Sequence, residues 1–194
     1  MYASRPPSPD EIAILNRELL ACTIRVGEAL RGMTELWAIG GDAGLVLHGV
    51  PVEPDGIEII TTSKGVDEAL AALRGPVAAA PEVRERRLPR DALVDGAWYP
   101  LFVRSRYAAV PVEGVTVELH GDRQLRIGEW EWGDPLRFKP EVTQVTTADV
   151  NLVPLRLESE FAFALGWDDL ARKIADAIAR QTHQGMKTQG ISAE

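Results

Sequence analysis

The chain has 194 residues, a formal net charge of −8, 26% charged and 45% apolar residues. Its length suits one domain, or one domain with a helical appendage, and is enough to bury a sizeable core. The acidic balance excludes a general attraction for nucleic acid, so a polynucleotide site would need a local basic patch.

Met1 to Pro7 reads as a loose tail without the apolar core of a signal peptide. A helix start follows: Ser8 as cap, Pro9 in the first turn and Glu11 three residues after the serine. Ile12, Leu15, Leu19, Cys22, Val26 and Leu30 recur at helical spacing and predict one long amphipathic face, with Gly32 as its stop. Cys22 is the one cysteine; it rules out an internal disulfide, fits a cytoplasmic protein and reads as packing. No apolar stretch is long enough for a membrane-spanning helix.

The most informative stretch is Leu36 to Thr62, LWAIGGDAGLVLHGVPVEPDGIEIITT. An apolar strand (Leu36, Trp37, Ala38, Ile39) ends in Gly40-Gly41. A compact helix with Ala43, Leu45, Val46 and Leu47 is broken by Gly49 and Pro51. A β-branched strand, Ile57 to Thr62, carries Glu58. The glycines allow close backbone approach to a ligand, and the free N–H groups after them suit phosphate. His48 closes the short helix and reads as a helix-end contact.

Gly65 to Leu73 predicts a helix, and Gly75-Pro76 and Pro81 mark a loop. Val83 to Leu88 reads as a polar edge strand. Its Arg84, Arg86 and Arg87, with Arg90, form the densest basic cluster, either a solvated edge or a local phosphate or RNA contact. Trp98 to Val112 reads as one or two strands carrying Arg104 and Arg106. Gly114 to Gly121 alternates cleanly, Val115, Val117 and Leu119 against Thr116, Glu118 and His120. Gly128 to Arg137 reads as a loop anchored by Trp130 and Trp132. Val142 to Val145 and Asn151 to Pro154 are short strands. Helices follow over Leu155 to Leu165 and Trp167 to Ala179. The expected organisation is a single domain over residues 8–180, with flexible tails at 1–7 and 181–194. The scattered histidines make no zinc pattern.

The glycine turn, Glu58 on the next strand and a lone acid on a later one resemble the nucleotidyltransferase superfamily, which has the DNA-polymerase-β-like fold. The likeness is to its small bacterial members. It spans roughly Leu36 to Leu119. The resemblance implies an α+β fold, a mixed sheet flanked by helices with a C-terminal helical segment. It also implies magnesium held by strand-borne acids and transfer of a nucleoside monophosphate from a triphosphate to a hydroxyl acceptor. Gly40, Gly41 and Asp42 would lie at the nucleotide, and Asp55, Glu58 and Glu118 would be the catalytic and metal-holding acids. The paired acids can be placed in two ways. Gly56-Ile57-Glu58 can fill the family's Asp-apolar-acid element, with glycine in the first acid's place. Alternatively Asp55 serves as the first acid, three residues from Glu58, which needs a bulge at Gly56 because strand side chains alternate faces. The first placement needs no irregularity and implies a damaged metal site. Asp42 would repel a triphosphate. The alternative function is therefore a catalytically inactive member of this fold that binds a nucleotide or a protein.

Overall fold

Turn chemistry and alternating apolar residues assemble one mixed sheet. The structure is a computed structural model that describes residues 17–74, 80–146 and 148–189. In chain order the elements are α1 (Arg17–Leu30), β1 (Trp37–Gly40), α2 (Gly41–Leu47), β2 (Ile57–Thr61), α3 (Ser63–Leu73), β3 (Glu82–Val94), β4 (Ala97–Val112), β5 (Val115–Ile127), β6 (Glu141–Val145), β7 (Ala148–Leu152), α4 (Leu155–Ala164) and α5 (Asp168–Gln189). The sheet order is β3-β4-β5-β2-β1-β7-β6. β2 runs antiparallel to β1 and parallel to β5, so the architecture is α+β with a mixed sheet, as the resemblance implied. The helix start at Ser8, the Gly75-Pro76 loop and the first residues of the chain lie outside the described residues.

Each strand sends alternate side chains to opposite faces. One face takes Trp37, Ile39, Ile57, Ile59, Val117 and Leu119, and Leu19, Cys22, Val26 and Leu30 of α1 pack on it with Val66 and Ala69 of α3. Cys22 is fully buried there, and burial pushes its thiol up to about 12, so packing is its role. The opposite face carries Ala38 and Ile60 under Val153. It also carries the polar residues Glu58, Glu118 and His120, which fall in register with those positions. Helices α4 and α5 pack near this second face through Leu155, Ala162, Ile174 and Ala177, against Leu45 of α2. His48 ends α2 as expected. Its Nε2 lies 2.8 Å from the Val153 carbonyl oxygen, and burial, only partly offset by that bond, lowers its pKa to about 4.

Two strands, β3 and β5, are longer than the sequence patterns suggest. β3 runs on to Val94 because Asp95-Gly96, with φ of 50° and 81°, forms a tight hairpin with β4. That Asp-Gly pair is a strong hairpin signal. Trp98 to Val112 is one strand, and β5 continues past Gly121 to Ile127. Together these strands form a wing reaching beyond the central sheet. Trp130 packs on Tyr99, and Trp132 lies beneath Arg104 and Arg126, so both tryptophans anchor the loop after β5. At the C-terminal end, α5 continues to Gln189, past the helix end expected at Ala179.

Candidate functional site

The two motif glycines seat carboxylates of this same chain. A Cβ on Gly40 would stand 2.8 Å from Glu158 Oε1. Gly41 has φ +60°, and a Cβ there would stand 3.0 Å from Glu58 Oε2. The Gly41 N–H donates to Glu158 Oε1 at 3.0 Å. Glycine is needed at both positions for close approach, and at Gly41 for the left-handed backbone as well. What approaches is Glu158 from α4 and Glu58 from β2. Asp42 is exposed at the next position, and desolvation, then Asp55 and Glu58, push its carboxyl upward.

Glu58 and Glu118 are direct register partners on the parallel pair β2 and β5, so they stand side by side on one face. Asp55 precedes β2 and is exposed. β2 begins at Ile57 and pairs regularly with both neighbours from there, so Asp55 and Gly56 stand in the loop that leads into it. Gly56 stands two residues before Glu58 and brings no donor side chain. Of the expected acids, Glu58 and Glu118 are direct register partners, and Asp55 lies in the loop before β2, close enough to push Asp42 upward.

A register shift in the wing supplies a residue that strand alternation alone does not reveal. Arg104 pairs with Gln124 and Arg106 with Gly121, so two residues of β5, Asp122 and Arg123, stand opposite Ser105 alone, one residue in excess. Asp122 has φ 47°, and its carboxylate accepts from the Ser63 N–H at the start of α3 at 2.9 Å. The bulge aims Arg123 at the site, where its Nη2 donates to Glu58 Oε1 and its guanidinium lies 5.1 Å from the Phe161 ring centre. Burial pushes Glu58 up, but Arg123 and, less, His120 outweigh it, so its carboxyl stays below the usual range. Among the described residues Glu158 makes no ion pair, and Arg123 only partly offsets its burial. Burial first, then Glu58, pushes it up to about 8.

Glu118 is held differently. The Tyr107 hydroxyl donates to its Oε1 at 2.8 Å. His120 Nε2 stands 3.7 Å from its Oε2, an ion-pair approach rather than a hydrogen bond. His120, against the opposing effect of burial and with help from Tyr107, brings Glu118 down to about 2. On its other side His120 Nδ1 lies 3.0 Å from Ser105 Oγ. Arg84 stands over Tyr107, its guanidinium carbon 3.4 Å from the ring centre, and pairs with Glu82.

These groups line a cavity of about 680 Å³ between the second face of the sheet and helices α4 and α5. That volume suits a small organic ligand. A magnesium pair asks more: several oxygen donors converging at short range. Here Arg123 already neutralises Glu58, Tyr107 holds Glu118 and Gly56 offers nothing. Among the described residues no three His, Cys, Asp or Glu side chains converge as an ion would require. The donor set does not fit the ions implied by the resemblance.

Several solved structures are similar to this chain. A presumed nucleotidyltransferase from Thermotoga maritima is 21% identical, with a TM-score of 0.64, covering 86% of this chain and 96% of its own. The antibiotic-resistance factor ANT(2'')-Ia in solution is 10% identical, with a TM-score of 0.43, over 88% of this chain and 96% of its own. Its crystal structure with adenylyl-2''-tobramycin is 7% identical, with a TM-score of 0.45, over 88% of this chain and 95% of its own. No protein-family model and no curated protein matches the chain. The chain has the nucleotidyltransferase fold. No described helix is long and apolar enough to cross a membrane.

Two residues central to this geometry escape a sequence reading. Arg123 sits beyond the clean alternation that ends at Gly121, and only the bulge turns it inward. Glu158 looks like one more surface acid of an amphipathic helix. A lone glutamate one turn into α4 carries no motif.

Proposed function

We propose that this chain uses the nucleotidyltransferase fold to bind a nucleotide and does not carry out metal-dependent transfer. The observation that carries this reading is the ion pair between Glu58 and Arg123. A guanidinium takes the charge that a divalent ion would otherwise neutralise. Gly56 in the first acid's place and Glu158 on the Gly41 N–H argue the same way. The cavity, with its arginines and aromatic rings, retains the volume and chemistry for a nucleotide.

The transfer reading has one observation in its favour, the register pairing of Glu58 with Glu118. In that reading magnesium held by Glu58, Glu118 and Asp55 would assist transfer of a nucleoside monophosphate to a hydroxyl of a small molecule, protein or RNA. It requires Arg123 to leave Glu58 and Asp55 to reach the site. Incubation with magnesium and each labelled triphosphate decides between the two. The binding reading predicts retained triphosphate without label on any acceptor. Transfer that disappears in Glu58→Gln would overturn it.

A further inference from the structure

The cavity wall offers a place for phosphate away from the glycine turn. Arg84 and Arg86 alternate onto the same face of β3, and both line the cavity. Arg84 is engaged by Glu82 and Tyr107. Arg104 is engaged by Gln124 and Trp132, and Arg123 by Glu58. Arg86 is exposed and, among the described residues, has no ion-pair, hydrogen-bond or ring partner. It is the one lining guanidinium of these four free to take an anion without first breaking a bond.

The aromatic rings of the cavity sort in the same way. Tyr107 is covered by Arg84, and Phe161 stands against Arg123. Trp167, at the junction of α4 and α5, lines the cavity and is 51% exposed. Among the described residues its indole meets no other ring or cation. The two free groups lie on elements that are tied together. Arg90 of β3 pairs with Asp168, next to Trp167, and lies 4.5 Å from the Phe163 ring centre. Arg86 lies four positions before Arg90 on β3, across the strand's register shift, and both Arg86 and Trp167 line the same cavity.

Resting on the nucleotide-binding reading, we propose that the nucleotide lies along the wing side of the cavity. Its base stacks on Trp167 and its phosphate is held by Arg86, with Arg84 beside it. The glycine turn, already taken by Glu158, holds no phosphate. A guanidinium binds phosphate oxygens by charge-assisted hydrogen bonds, and an exposed indole accepts any base by its face. Affinity at this wall requires no metal.

Two fragments of the ligand test this separately. Inorganic pyrophosphate, adenosine and ATP are titrated calorimetrically in EDTA into the wild type, Arg86→Ala and Trp167→Ala. Both side chains are exposed, so both variants should fold, which circular dichroism checks. The expected result is pyrophosphate binding weakened about tenfold or more in Arg86→Ala and unchanged in Trp167→Ala. Adenosine should show the reverse pattern, and ATP should be weakened by both changes. Pyrophosphate bound equally well by Arg86→Ala, or not bound by the wild type, overturns the proposal. If ATP binds and neither variant affects it, the orientation falls while the nucleotide reading stands. If neither ATP nor adenosine binds, both fall together.

Discussion

The inner floor of the cavity and the outer wing treat charge in opposite ways. At the floor, Glu58 and Glu158 crowd Gly40 and Gly41 with Arg123 as their near cation, and the Glu58–Arg123 side chains keep only 27% and 14% exposure. On the wing, pairs such as Arg84–Glu82 stand in solvent at 54% and 58% exposure. An ion pair drawn the same way in both places therefore does different things. Water screens the wing pair, whereas the floor pair compensates charges that water reaches poorly.

The largest expected effect breaks this comparison most cleanly. Glu58→Gln leaves Arg123 largely enclosed without its counter-charge and should cost roughly 3 kcal/mol in urea unfolding. Arg84→Ala should cost no more than about 1 kcal/mol. Equal losses would erase the distinction between floor and wing.

A second effect is visible in the pH dependence of stability. Native Glu158 keeps its proton up to about pH 8, whereas the unfolded chain releases it near 4.5. The native state thus binds more protons between those values, and stability falls as pH rises through them. Glu158→Gln should flatten that slope by several kcal/mol across the window. An unchanged slope in the variant would mean that Glu158 ionises freely in the folded protein.

Smaller again is Gly40→Ala. Its new Cβ would press Glu158 off the Gly41 N–H, at a cost of roughly 1–2 kcal/mol by thermal unfolding. No loss would show that the turn has room to spare. Smallest is Trp98→Ser at the wing tip, where the side chain is 67% exposed. It should stay within about 0.5 kcal/mol of wild type.

How much of this was legible in the sequence depends on whether a residue's role is local. The strand, glycine turn, short helix and strand from Leu36 to Thr62 read correctly because periodicity and breakers are local signals. Glu58 and Glu118 could be paired because both sit on cleanly alternating strands. The wing was underestimated because Asp95-Gly96 was not read as a hairpin turn. Arg123 was invisible because a bulge changes which way a side chain points, and nothing in the spacing announces it. Glu158 reaches Gly41 across 117 positions of chain, a contact that only the packing of α4 on the sheet creates. The arginine cluster on β3 was visible as composition. Which member is free emerged only once Glu82, Asp91 and Asp168 were seen to occupy Arg84, Arg87 and Arg90.

The central claim is that an arginine stands in for the metal at Glu58. ATP affinity measured by calorimetry in magnesium and again in EDTA tests it most directly. The account predicts the two affinities to agree within about twofold. A tenfold or greater gain with magnesium, lost in Glu58→Gln, would contradict it.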